Sequence, residues 1–312
     1  MINRREVLLA GGAMAAAAGL AGWSWARADS PKESEPTDHQ EPDESGGNRR
    51  VMRTITYNVL NCSGWAAKDA DTKRLEQARN RQDPATPSQI PTRIALELAL
   101  YDPDIVSFQE APAETVVAQI AEALDMRYAY FPGGVHGAIL TRYRIVDTQN
   151  RPIAGPAQPP GLFSRHWCRA VLDTDDEELV FYGAHLHPGQ ADIRADEVTV
   201  MLAVMWKDLA ADRSLLFQGD LNHQPNEPEY QRWIEAGLTD SFAAKGVGQP
   251  LTILAAEPSR RIDYIWSHGP IVGRVRRCGV LYEGAFRTNL DDPASFALSD
   301  HLPVLAEFGR GD

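Results

Sequence analysis

The stretch Leu215-Leu216-Phe217-Gln218-Gly219-Asp220-Leu221-Asn222-His223-Gln224-Pro225 constrains the fold more than any other. An apolar run of the kind that fills a core strand ends in a glycine, and an acid, an amide and an imidazole follow at once. Asp220 and Asn222 stand two residues apart, so an extended chain sends both side chains to one side. A centre that activates water needs such a pair, one group to take a proton and one to orient the attack. The competing reading is an Asx-rich turn that closes the strand. The rest of the chain bears on the choice.

The same motif of an apolar run ending in polar residues recurs. Strands are expected over residues 53–59, 105–110, 137–142, 169–173, 180–188, 261–266 and 272–281, with a last one entered through 299–305. Helices are expected over 91–101, with Ile94, Leu98 and Tyr101 on one stripe, and over 113–124. Two more are expected: 192–209, with Val198, Leu202, Met205 and Leu209 at helical spacing, and 229–235. The charged segment 68–81 reads as a solvated helix leading into a loop over the mouth of a site. Strands outnumber helices and several adjoin with no helix between them. That favours a layered α/β sandwich over a doubly wound sheet or a barrel, with residues 51–312 as one domain.

Two N-terminal segments lie outside that domain. Residues 1–28 place Arg4-Arg5 before a Gly/Ala-rich apolar run that ends in Ala26-Arg27-Ala28, a small-x-small cleavage pattern. The segment resembles a twin-arginine export signal, which implies the twin-arginine export machinery as a partner and a periplasmic or extracellular location. Its many Gly and Ala residues make it a poor membrane anchor, so no stable span is expected in the mature form. Residues 29–50 are rich in Asp, Glu, Pro, Ser and Gly and cannot offset their ordering entropy by burial; they form a disordered acidic linker. The formal net charge of -12 argues against a protein that coats nucleic acid, because such affinity rests on Lys and Arg neutralising phosphates. Three widely spaced cysteines, Cys62, Cys168 and Cys278, do not make a disulfide framework.

Six strand ends carry polar residues that a core has no use for: Asn58, Glu110, His185, Asp220 with Asn222, Asp263, and Asp300 with His301. Gathered in one cleft, their carboxylates repel one another unless a divalent cation sits among them. Oxygen donors from Asp, Glu and Asn suit a hard ion, Mg²⁺ first, with Mn²⁺ or Ca²⁺ as further choices. A zinc centre built on His185, His187 and His301 would need clustered nitrogen ligands, and the surplus of carboxylates argues against it.

At these residues the sequence resembles the endonuclease/exonuclease/phosphatase superfamily of metal-dependent phosphohydrolases. The likeness rests on Thr56-Tyr57-Asn58-Val59, Phe108-Gln109-Glu110, His185-Leu186, Gly219-Asp220-Leu221-Asn222, Arg261-Ile262-Asp263-Tyr264-Ile265 and Ser299-Asp300-His301-Leu302-Pro303-Val304. It implies a four-layered α/β/β/α sandwich of two mixed sheets flanked by helices, as in deoxyribonuclease I. By that resemblance Glu110 is the principal metal ligand, with Asn58 and Asp300 beside it. Asp220 aligns or deprotonates the attacking water, and Asn222 holds that water or a phosphate oxygen. Asp263 and His301 form a carboxylate–imidazole pair, and His185 faces the phosphate or the leaving group. The implied reaction is in-line displacement on a phosphate-ester substrate, whether nucleic acid, phospholipid headgroup or small ester. The alternative is an inactive relative that only binds a phosphate ligand, against which every expected position being filled is the argument.

Further residues stand near these motifs. His187 and His223 are read either as added ligands or as solvated loop histidines. Arg142 and Arg169 are read either as phosphate contacts or as partners of surface acids. Arg274, Arg276 and Arg277 form a modest basic edge. Trp65, Phe163 and Trp167 lie in or beside the selectivity loops 61–89 and 149–165, as stacking platforms or as packing.

Overall fold

A computed structural model describes residues 51–66, 75–76, 88–155, 160–174, 176–287, 291 and 295–310. The proposed export signal and acidic linker lie outside these residues, as do nearly all of the charged segment 68–81 and parts of both selectivity loops.

In chain order the elements are β1 (Met52–Asn58), α1 (Ile90–Ala99), β2 (Ile105–Gln109), α2 (Glu114–Ala123), β3 (Arg127–Phe131), β4 (Gly137–Thr141) and β5 (Arg144–Asn150). There follow β6 (Trp167–Asp173), β7 (Glu178–His185), α3 (Ala191–Ala210), β8 (Leu215–Asp220), α4 (Pro228–Glu235) and β9 (Thr239–Asp240). The chain closes with α5 (Ser241–Lys245), β10 (Gly246–Val247), β11 (Asp263–His268), β12 (Val275–Val280) and β13 (Val304–Phe308). Among the described residues these strands make a seven-stranded sheet, β10-β12-β13-β1-β2-β4-β3, and a six-stranded sheet, β5-β6-β7-β8-β11-β9. Both are mixed: β1–β2 and β7–β8 run parallel, and most other pairs run antiparallel.

Three apolar clusters separate four layers. Between the sheets, Ile105, Ile139 and Phe308 of the first meet Leu172, Phe181, Leu216 and Ile265 of the second. On the outer face of the first sheet, Ile55, Phe108 and Leu140 pack under Ile94 and Leu98 of α1 and Val117 and Ile120 of α2. On the outer face of the second, Val180, Tyr182, Phe217 and Trp266 pack under Val198, Met201 and Met205 of α3 and Trp233 of α4. Alternate strand residues therefore serve different layers, and nearly every position of the central strands is buried. The expected α/β/β/α sandwich is the architecture found.

The expected helix and strand positions hold with small shifts. On α3 the buried stripe runs through Met201, whereas Leu202 is only half-buried. Residues 272–281 are not one strand: Gly269–Arg274 is a 3₁₀ turn and the strand begins at Val275. Gly269 at φ +72° and Pro270, which lacks an N–H, break the pairing there. Strands β3 and β5 escape sequence patterning because each lies at a sheet edge. In β5 six of seven residues are exposed, which leaves no alternation to read.

Where the sheets meet beneath the site, the filling turns polar. Thr54 Oγ1 donates to Gln218 Oε1 at 2.9 Å, and Gln218 Nε2 donates to the Ile55 carbonyl at 3.2 Å, which ties β1 to β8 across the layers. Thr56 Oγ1 donates to Gln109 Oε1 at 3.1 Å, and Gln109 Nε2 reaches Ser107 Oγ at 3.0 Å. Every partner here is buried, so the network specifies one alignment of the two sheets.

Gly219 is required by a close approach within the second sheet, to the neighbouring strand β7. Its φ is +152°, and a Cβ there would stand 1.9 Å from the Ala184 carbonyl oxygen of β7. Backbone cannot swing aside as a side chain does. Replacing Gly219 with Ala is expected to cost about 3 kcal/mol or more and to lower Tm by about 6 °C or more. Thermal denaturation of G219A checks this, and an unchanged Tm would contradict it.

Candidate active site

Three neighbouring strands deliver the centre of the site in one row. The register sets His185 of β7 beside Asp220 of β8, and Asp220 beside Asp263 of β11. Residues opposite one another across paired strands share a face, so all three side chains leave the sheet together. His185 Nε2 lies 3.4 Å from Asp220 Oδ2. Asp263 Oδ2 holds His301 Nδ1 at 2.9 Å, and His301 Nε2 lies 3.6 Å from Asp220 Oδ2.

The first sheet meets this row through Asn58, the last residue of β1. Its Nδ2 donates to Asp220 Oδ2 at 3.0 Å and to Glu110 Oε1 at 3.3 Å. Its Oδ1 accepts from the Leu60 amide at 3.1 Å, which fixes the side chain. Glu110 follows β2 at φ +50°, a left-handed turn that takes the chain out of the sheet and leaves the carboxylate half-buried. Ser299 straps the third segment into place: its Oγ donates to the Asn58 carbonyl at 2.6 Å and lies 3.3 Å from Asp300 Oδ1. The same oxygen accepts from the His301 amide at 3.3 Å. Ser299 belongs to the motif that carries Asp300 and His301, but its role as a strap is visible only in three dimensions.

The structure thus brings Asn58, Glu110, His185, Asp220, Asp263, Asp300 and His301 to one point. Asn222 is placed differently from the extended-chain expectation. The strand ends at Asp220, Asn222 turns to φ +52°, and its amide N–H closes an Asx turn on Asp220 Oδ1 at 3.1 Å. Its side-chain Nδ2 donates to the Leu186 carbonyl at 3.0 Å. The turn and the site are therefore one feature.

Burial and charge set the protonation states. Asp220 is 2% exposed, and burial raises its carboxyl to about 7 against the opposing pull of the His301 charge. Burial alone would lower His301, but the carboxylates of Asp263 and Asp220 override it and raise the ring to about 10. His185 has no such support: burial, with Arg165, His166 and His301 nearby, holds it well below the ordinary value, so it is neutral. The site pairs an imidazolium with a carboxyl poised near neutrality, the range in which a general base works best.

A cation has two conceivable seats. Asp220, Asp263 and His301 bring donor atoms within 4.8 Å of one another. Between those carboxylates, however, the His301 imidazolium already supplies the positive charge. The oxygen-bearing side at Asn58, Glu110 and Asp300 suits a hard divalent ion better, since Glu110 is half-exposed and bonded by the Asn58 amide.

Several flanking residues take the structural reading. His223 is fully buried, stacks on Tyr264 at 5.1 Å and accepts from Trp233 Nε1 at 3.1 Å; it is neither a ligand nor a solvated loop residue. Nδ1 of His187 accepts from the Gly189 and Gln190 amides at 3.3 Å, ahead of α3. Arg142 pairs with Asp102 at 2.6 Å, Arg169 with Asp208 at 2.8 Å, and Arg274 with Glu177. Phe163 and Trp167 are buried and stack on each other at 5.4 Å, and Trp65 packs against the first-sheet core. The three cysteines are free and buried, and burial pushes Cys62 and Cys278 up to about 12.

Two mixed sheets sandwiched by helices are an architecture shared by many solved structures. A Bacteroides thetaiotaomicron mannosyl-6-phosphatase superposes with a TM-score of 0.62 at 20% identity, covering 83% of this chain and 100% of its own. An endonuclease/exonuclease/phosphatase family protein from the same organism gives 0.62 at 19% identity, covering 84% and 99%. TDP2 of D. rerio, complexed with a single-strand DNA product, gives 0.58 at 17% identity, covering 83% and 99%. No curated relative matches the sequence. The family itself is settled by sequence: residues 55–301 match the endonuclease/exonuclease/phosphatase family, and the chain belongs to it. It is an enzyme of the phosphoester hydrolase class.

The Asp263–His301 pair gives a direct test. A ring raised from 6.5 to about 10 contributes stability that is full below 6.5 and is lost as pH rises through the folded value. Replacing Asp263 with Asn is expected to lower the His301 midpoint by about 1–3 pH units in an NMR titration. An unmoved midpoint would mean that Asp263 does not hold the ring charged.

Proposed function

We propose that the protein is an exported, divalent-metal-dependent phosphoesterase that hydrolyses a phosphodiester, or a phosphomonoester, by in-line attack of activated water. The observation that carries this reading is the buried Asp220, contacted at once by Asn58, His185 and His301. A carboxyl raised by burial accepts the proton of an attacking water. Asn58 holds it in line with Glu110, and the Asx turn at Asn222 fixes its other oxygen. The His301 imidazolium, kept charged by Asp263, stabilises negative charge that gathers on phosphorus oxygens. Neutral His185 faces the same point as a hydrogen-bonding partner for substrate.

Glu110, Asp300 and the Asn58 amide oxygen are the residues that would hold the ion, Mg²⁺ by preference, with Mn²⁺ or Ca²⁺ as substitutes. When bound, a divalent ion supplies Lewis-acid polarisation of a phosphoryl oxygen. Export is supported by Arg4-Arg5, the apolar run and Ala26-Arg27-Ala28. Among the described residues no helix is long and apolar enough to cross a membrane. The acidic balance favours a small or transiently held ester over a long polyanion. Of the solved neighbours above, one is named a mannosyl-6-phosphatase and another is complexed with a single-strand DNA product, so both ester types belong in an assay panel.

Bis(p-nitrophenyl) phosphate should be cleaved with added Mg²⁺ or Mn²⁺ and not after chelation. Glu110→Gln is expected to lower kcat/KM about 10²-fold or more and to weaken metal binding by calorimetry. Full turnover in chelator, or a Glu110→Gln enzyme as active as the parent, would overturn the reading.

A further inference from the structure

Beside the site lies a group of basic side chains that the hydrolytic machinery does not use. His136 stands in the turn between β3 and β4, Arg151 directly after β5, and Arg165 and His166 directly before β6. Backbone bonds tie this group to the reaction centre on two sides. The His136 carbonyl accepts from the Ala111 amide at 2.9 Å, next to Glu110, and the His166 carbonyl accepts from the His185 amide at 2.9 Å.

Two glycines in and beside the turn leave room for members of this group. A Cβ on Gly133 would stand 2.9 Å from Arg151 Nη2, and one on Gly137 would stand 2.0 Å from the His166 ring. Arg151 Nη2 donates to the Arg165 carbonyl at 3.0 Å, so the two arginine segments are held together.

What these groups lack is a direct ion-pair partner. Arg151 Nε, Arg165 Nε, His166 Nδ1 and His185 Nδ1 are buried without a hydrogen-bond partner. Among the described residues, no carboxylate lies within ion-pair distance of Arg151, Arg165, His136 or His166, although Arg142, Arg144, Arg169, Arg194, Arg213 and Arg261 all have one. The acid that acts on Arg165 is Glu197, whose oxygens are taken by the Phe163 amide at 2.8 Å and the His187 amide at 2.9 Å. Burial first, then Arg151 and His136, holds His166 down to about 3. The chain has 43 acids and 31 Lys and Arg, so a basic cluster without a paired carboxylate is not what its composition supplies by default. Buried donors without partners are costly and point to a ligand that completes them.

We infer that Arg151, Arg165, His136 and His166 form a subsite for a second phosphate group of the substrate, next to the one that is cleaved. This rests on the phosphoesterase reading above and narrows its substrate to esters bearing another phosphate. Two guanidinium groups and imidazole donors suit a tetrahedral anion with several acceptor oxygens. The cluster adjoins the centre through His185 and leaves the Asn58, Asp220 and His301 end to the scissile group.

The test compares two esters with one leaving group, the p-nitrophenyl ester of thymidine 5′-phosphate with and without a 3′-phosphate. With the parent enzyme and Mg²⁺, the 3′-phosphate is expected to raise kcat/KM about ten-fold or more. Arg151→Met and Arg165→Met are each expected to bring that ratio towards one, and Arg151→Lys to restore part of it. A parent ratio near one overturns the subsite, and that result stands even if a variant fails to fold. A ratio that survives both substitutions overturns it too, as would an equal loss on both esters, which would assign the arginines to the scissile phosphate. If neither ester is cleaved with any of the three metals, the phosphoesterase reading itself fails, and the subsite with it.

Discussion

Asp220 is a carboxyl group almost closed off from water at the point where two sheets meet, and the site depends on how it is satisfied. A buried carboxylate is costly unless charge and hydrogen bonds answer it. Here the answers come from three separate parts of the chain: Asn58 from the facing sheet, His185 from the neighbouring strand, and His301 from the segment before β13. Removing any of these takes one partner from a buried carboxyl, so the chemistry and the alignment of the sheets rest on the same contacts. The polar layer of Thr54, Thr56, Gln109 and Gln218 beneath it extends that alignment into the core.

The two histidines next to Asp220 show how one environment gives two charge states. His301 has Asp263 on its other nitrogen and is held protonated; His185 has no acid on Nδ1 and is held neutral. Burial is similar for both, so the difference comes from their neighbours: carboxylates, Asp263 first, around His301, and Arg165 and two imidazoles around His185. The basic group behind His185 extends the asymmetry. One flank of the site is rich in oxygen donors at Glu110 and Asp300, and the other, at Arg165 and His166, presents nitrogen donors. A phosphate ester has both needs, a cation for its reacting oxygens and donors for its remaining charge.

Much of this was legible in the sequence, for a physical reason. Central strands are buried on both faces and rich in apolar residues, so charged groups, imidazoles and amides stand out where such a strand ends, as at Asn58, Glu110, His185, Asp220 and Asp263. Edge strands have no such contrast, and β3 and β5 went unread. The placement of Asn222 depends on a left-handed backbone that residue spacing alone does not reveal. His223 and Ser299 show the same limit: one packs against Trp233 and Tyr264, the other straps Asn58, and both roles come from distant partners. The basic group is assembled from residues 136, 151, 165 and 166 across three connections, with no motif of its own.

The central claim is that Asp220 takes the proton from the attacking water. Its most direct test is the single-turnover rate of the Asp220→Asn enzyme with saturating Mg²⁺, since asparagine keeps the side-chain shape and one acceptor oxygen while removing the base. The rate is expected to fall about 10²–10⁴-fold, with Tm and metal affinity close to those of the parent. A rate within a few-fold of the parent would show that the proton goes elsewhere and that the buried carboxyl is only structural.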